Sequence, residues 1–257
     1  MSTKFKPILF STAMVQAILE GRKTQTRRVV KKQPKEKDYL PELLTDHFGN
    51  YLLSYRKDRV FVEDKTIKSL YGNVGDVLWV RETWKPGAWR EDGRVAFDYL
   101  ASTELKNTPW VQFTNFDNYY KKWTDEILKN NSIPDEMGFH HWEPGKSPLS
   151  WKPSIFMPKD ACRLFVKIKS IRVEKLQDIS EEDAISEGVL KDVEFYPGDF
   201  KTEMIYRDYT GKTHGCKYAR SSYMTLWQKI NGVDSWDENP YVWTLEFERI
   251  EKPKHFI

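Results

Sequence analysis

The chain has almost no cysteine. Cys162 and Cys216, the two in 257 residues, stand far apart and in no ligand-like spacing. That argues against a disulfide framework and for reduced thiols. Long apolar runs are also missing: no stretch approaches the roughly eighteen residues of a membrane span. The N-terminus carries no apolar region followed by a small-residue cleavage site, so a cytoplasmic protein with no membrane partner is expected. Metal-ligand spacing is absent too. His140 and His141 are adjacent, while His214 and Cys216 lie far from them. No four ligands recur at zinc-like intervals, so no metal and no cofactor are expected. Gly211, Lys212 and Thr213 end like a phosphate loop, but the position five residues before Gly211 is Tyr206, and the match fails. There is no internal repeat and no low-complexity run.

What is present points to a folded chain. Aromatics make up 14%, with ten Trp, and 257 residues suffice for a sizeable core. Net charge is only +3, yet residues 1–37 hold ten Lys or Arg against two acids, which leaves −5 for the remainder. The positive charge is therefore local. A patch of this kind suits phosphates, and a solvated arm has the same composition.

The stretch that concentrates this charge is STAMVQAILEGRKTQTRR, Ser11 to Arg28. Ser11 or Thr12 can cap a helix, and Met14, Val15, Ile18 and Leu19 form an apolar stripe. Gly21 supplies the stop, with Arg22 and Lys23 complementing the helix dipole. Beyond it Lys23, Thr24, Gln25, Thr26, Arg27 and Arg28 place three cations and two hydroxyls in six positions. Such density is either a solvated turn or a site.

Residues 31–70 read as an insertion carrying a hairpin, with strand alternation at Tyr51 to Tyr55 and Val60 to Val62. Turn residues Gly72 to Asp76 lead into a buried strand at Val77 to Val80. Residues 85–150 read as a second insertion, with a helix from Asn118 to Lys129. Leu164, Val166, Ile168, Ile171 and Val173 mark a half-buried strand, and Ser180 caps a short helix that stops at Gly188. Residues 190–220 are irregular. Ser221 to Ile230 is helical with Tyr223, Leu226, Trp227 and Ile230 inward, and Tyr241 to Ile250 is a closing strand. Non-adjacent helices and turn-rich connections favour an α+β domain around a small barrel over a parallel sheet. A single domain over residues 1–257, with insertions at 31–70, 85–150 and 190–220, is expected.

Three pieces in order, GRKTQTRR, GDVLWVRETW and LQDISEEDAISEG, resemble an ASCH domain of the PUA-like superfamily, in its long phage- and prophage-associated form. About half the chain carries the resemblance. It implies a small PUA-like β-barrel with flanking helices and a cleft for RNA or a nucleoside. Small bacterial members include an amidohydrolase that removes acetate from N4-acetylcytidine with a lysine, a threonine and a glutamate. The resemblance places these at Lys23, Thr26 and Glu187, while Arg27 stands where that motif has an apolar residue.

On this reading Lys23, surrounded by cations that disfavour a further charge, takes the proton of Thr26, and Glu187 returns it to the leaving nitrogen. Thr24 competes with Thr26, or orients Lys23. Arg27, Arg28 and Arg81 are candidates for phosphate or base contact, Arg28 and Arg81 with pairing to Glu82 or another carboxylate as the alternative. Trp84 and Trp151 either stack on a base or pack as core. Two other functions remain open: an RNA or modified-base binding module without turnover, and a ribonuclease.

Overall fold

A computed structural model describes residues 3–34, 40–47, 50–58, 60–61, 67–102, 109–130, 132–195 and 202–256. The chain is mixed α+β and forms two compact units. Unit 1 comprises Met1–Lys6, Ala17–Leu78 and Val166–Arg249; unit 2 comprises Pro7–Gln16, Trp79–Phe165 and Ile250–Ile257.

The first strand, β1 (Phe5–Leu9), leads into α1 (Thr12–Leu19). Ser11 Oγ accepts from the Met14 amide at 3.4 Å, and Val15, Ala17 and Ile18 are buried. Gly21 ends the helix at φ +77°, a conformation that costs glycine little. The polar cluster beyond it is no turn: Gln25–Val29 forms a strand, β2. Next come β3 (Leu40–Thr45), β4 (Tyr51–Lys57), β5 (Val60–Phe61) and β6 (Ile67–Lys68), paired as one small sheet. The hairpin expected from Tyr51 onward is present, and Val62 lies outside the described residues. β7 (Val77–Arg81) follows a turn held by Asp76, whose Oδ2 accepts from the Asn73 amide at 2.9 Å.

In unit 2, β8 (Trp84–Trp89), β9 (Arg94–Tyr99) and β10 (Val111–Gln112) form a three-stranded sheet, followed by α2 (Phe116–Lys129). Its core is aromatic. Trp84 meets Phe97 edge-on at 5.4 Å, Phe97 meets Phe113 at 5.7 Å, and Phe113 stacks on Trp123 at 5.7 Å.

The long strand β11 (Phe165–Lys175) returns the chain to unit 1. It is followed by α3 (Glu181–Ser186), whose cap Ser180 accepts from the Asp183 amide at 3.1 Å. A hairpin of β12 (Lys191–Phe195) and β13 (Thr202–Tyr206) occupies part of the stretch expected to be irregular. Then come α4 (Ala219–Asn231) and β14 (Tyr241–Ile250). Leu176, Ala184, Tyr223, Trp227, Trp236 and Val242 share one buried cluster. Tyr223 and Trp227 are inward as expected, but Ile230 is half-exposed: α4 ends one residue later, beyond the cluster.

The main sheet runs β1-β7-β11-β14-β2. It is open, and no sheet among the described residues closes into the small barrel expected from the sequence. The edge of the sheet at β2 carries the candidate site. No described helix is long and apolar enough to cross a membrane.

Candidate functional site

The site is built on one face of the sheet in unit 1. β2 pairs antiparallel with β14, placing Gln25 opposite Glu246, Thr26 opposite Leu245, Arg27 opposite Thr244 and Arg28 opposite Trp243. Because side chains alternate along a strand, Gln25 and Arg27 share a face with Thr244 and Glu246, and Thr26 and Arg28 point to the other. Arg172 and Glu174 of β11 reach the first face. Glu174 Oε1 accepts from Thr244 Oγ1 at 3.0 Å, and Arg172 bonds Glu246.

α3 supplies the acids that meet this face. Gly188, at φ +87°, turns the chain directly after Glu187, and a Cβ there would lie 2.8 Å from Lys23 Cβ and 3.0 Å from Ala17 Cβ. Only glycine permits this approach. The Thr24 amide donates to the Ser186 carbonyl at 2.8 Å, which ties the end of α3 to the entry of β2. Lys23 is thereby brought against Glu187.

Lys23 Nζ donates to Glu187 Oε2 at 2.7 Å, to the Glu187 carbonyl at 2.9 Å and to the Gln25 carbonyl at 2.7 Å. These bonds use all three N–H directions of an ammonium. The pair is deeply buried, with side chains 1% and 3% exposed. Burial pushes the Lys23 amine below its ordinary value; Glu187 opposes that, and the Arg28 and Arg27 charges add to it.

Arg27 links the pair to the other acids. Its NH1 donates to Gln25 Oε1 at 2.5 Å and Glu187 Oε1 at 3.3 Å, and its NH2 to Glu174 Oε1 at 2.5 Å and Asp183 Oδ2 at 2.7 Å. Its Cζ lies 5.9 Å from the centroid of the Tyr223 ring. Burial alone would lower the guanidinium's affinity for its proton, but Glu187, Glu174 and Asp183 outweigh it and raise it. Tyr223 is held well above the ordinary phenol value by burial and by Glu187. Buried charges survive only when paired in this way.

Asp183 gives a pH test. Burial would raise its carboxyl, yet hydrogen bonds from Gln25 and Arg172 and the charge of Arg27 hold it below its ordinary 3.8. A depressed acid contributes stability that is fully present above the unfolded value and is lost as pH falls through the folded one. Thermal melts of Asp183→Asn are therefore expected to show a lower midpoint at neutral pH and a shallower decline below about pH 4 than wild type. An acid limb of unchanged slope would remove Asp183 from this account.

The sequence-based candidates fall into three groups. Lys23, Arg27 and Glu187 converge. Thr26 is buried on the opposite face, and among the described residues its hydroxyl bonds to neither Lys23 nor Glu187. Arg28 shares that other face, half-buried; Thr24 is exposed. The third group, Arg81, Trp84 and Trp151, belongs to unit 2. Arg81 does not pair with Glu82: its NH2 bonds the Ile155 carbonyl, and buried Glu82 takes a two-pronged contact from Arg163 at 2.9 Å on each oxygen. Trp84 is core against Phe97 rather than a stacking surface. Trp151 is 39% exposed, with Lys85 Nζ 4.9 Å from its ring centroid.

Sequence reasoning missed Gln25, Arg172, Glu174, Asp183 and Tyr223 as members of the site. One signal was there: QTR, RVE and TLE each place two polar residues two apart on a strand, a polar stripe on one face of the sheet. Among the described residues no three His, Cys, Asp or Glu gather as metal ligands. No protein-family model, no curated protein and no solved structure matches the chain.

Proposed function

We propose that this chain is an ASCH-type, PUA-like module that hydrolyses the amide of an acylated nucleobase such as N4-acetylcytidine, with Lys23 and Glu187 as its proton-transfer pair. The observation that carries the reading is the 2.7 Å contact between Lys23 Nζ and Glu187 Oε2. The two residues lie 164 positions apart and come from two of the three motifs behind the resemblance. Desolvation favours the uncharged amine, which a base requires. In the reaction an oxygen nucleophile attacks the acyl carbonyl and loses its proton to Lys23. Lys23 passes that proton across the 2.7 Å contact to Glu187, and as the amide C–N bond breaks Glu187 delivers it to the departing exocyclic amine of the base. Water then releases the acid if the nucleophile was a hydroxyl. The PUA-like assignment rests on the motifs, since the sheet is open.

A second reading, recognition of a modified base or RNA without turnover, is favoured by two observations. Thr26 faces away from the pair, and Lys23 has every N–H direction engaged. Chromatography of N4-acetylcytidine, free and within RNA, separates the two. Hydrolysis predicts release of cytidine, reduced about a hundredfold or more in Glu187→Gln and Lys23→Met. Intact substrate together with RNA affinity that falls as salt rises would select the second reading.

A further inference from the structure

We infer that Arg27 is the positioning residue that fixes how Glu187 meets Lys23, an assignment resting on the proton-transfer role proposed above. Its guanidinium takes Glu187 Oε1 at 3.3 Å, leaving Oε2 to Lys23 at 2.7 Å, so each carboxylate oxygen has its own cation. The planar fork is anchored at the same time by Gln25, Glu174 and Asp183. A single point charge could not hold these directions together.

The contacts separate this role from plain cross-linking. Arg172 already bridges Glu174 at 2.9 Å and Asp183 at 2.7 Å, and bonds Glu246 as well. The tie between β11 and α3 therefore has a second cation and persists without Arg27. The contact to Glu187 Oε1 has no such duplicate among the described hydrogen bonds. What Arg27 alone supplies is thus directed at the pair.

The charges facing Lys23 predict the sign of the effect. Glu187 from the end of α3 and Arg28 and Arg27 from β2 act on Lys23 directly, while Asp183 of α3, Glu174 of β11 and Tyr223 of α4 face Arg27, and Arg172 pairs with Asp183. Arg27→Met removes a like charge from beside the amine and leaves Glu187 to Lys23 alone. Both changes make the amine hold its proton more tightly.

The test is a titration of the Lys23 amine by lysine-labelled NMR in wild type, Arg27→Met and Arg27→Lys, assigned with Lys23→Met. In folded Arg27→Met the midpoint is expected to rise by about half a pH unit or more. In the deacylation assay kcat is expected to fall about tenfold with KM little changed, and the rising limb of the pH–rate profile to follow the NMR midpoint. Arg27→Lys keeps a cation without the fork; it is expected to lose kcat with a smaller shift in midpoint, and it carries the test alone if Arg27→Met does not fold. An unmoved Lys23 midpoint in a folded variant, with only the urea midpoint lowered, would reduce Arg27 to a structural cross-link. If wild type has no turnover, the hydrolysis reading fails, and the NMR shift still decides whether Arg27 governs the pair.

Discussion

Glu187→Ala is expected to lower the free energy of unfolding by about 3 to 5 kcal/mol, the cost of removing one partner of a buried ion pair. The carboxylate is 3% exposed and is shared by Lys23 at 2.7 Å and Arg27 at 3.3 Å. Alanine supplies no acceptor to either cation. Arg27 stays charged but keeps Glu174 at 2.5 Å and Asp183 at 2.7 Å, so the larger share of the penalty falls on Lys23, which can shed its proton to escape it. The loss is therefore expected to shrink at high pH, where the Lys23 amine is neutral. Urea unfolding of Glu187→Ala at pH 7 and pH 10, beside Lys23→Met/Glu187→Leu, checks this. The double variant removes one cation with the acid and is expected to recover part of the stability. An exposed pair gives the scale: Lys169 and Glu248, 3.4 Å apart and each about half exposed, should be worth less than about 1 kcal/mol. A Glu187→Ala cost in that low range would mean the pair is solvated in solution.

Gly188→Ala is expected to cost about 2 to 4 kcal/mol, from two sources that add. At φ +87° any L side chain is strained. In addition, the new methyl would lie 2.8 Å from Lys23 Cβ, 3.0 Å from Ala17 Cβ and 3.3 Å from Lys23 Cα. None of these atoms is the free end of a flexible chain, so the backbone must move, and with it the approach of Lys23 to Glu187. Gly211→Ala isolates the strain alone: φ is +72°, and a Cβ there would meet nothing within 4 Å. It should cost about 1 kcal/mol. Equal urea midpoints for the two variants would show that the close approach around Lys23 relaxes at no cost. If the gap appears, Gly188→Ala should also reduce any deacylation activity, while Gly211→Ala should leave it unchanged.

Local signals were legible where one residue carries one message. Ser180 with acids after it, Gly21 and Gly188 at helix stops, and the alternation of Tyr241 to Ile250 each produced the element they announce. Lys23 and Glu187 could be paired only through the resemblance of their motifs; nothing in the spacing of two residues 164 apart says that they touch. β2 was the costliest omission. QTRRV lacks the apolar alternation by which a half-buried strand is recognised, because its inward residues are Gln25 and Arg27, and their partners are charges on other elements. Trp84 was left open between the two for a related reason: a tryptophan reads alike whether it stacks on a ligand or on Phe97, and only packing separates them.

By itself, then, the sequence determined the α+β class, the caps and stops, the strands with alternating apolar residues, and the two motifs that hold Lys23 and Glu187. Those features depend on neighbours a few positions away, which the chain order specifies directly. Tertiary structure alone decided that Arg27 is a buried hub, that Thr26 faces the other side of its strand, and that Glu82 belongs to Arg163. Burying a charge is tolerable only where opposite charges from distant segments meet it, and that meeting is a property of the folded sheet and its covering helices.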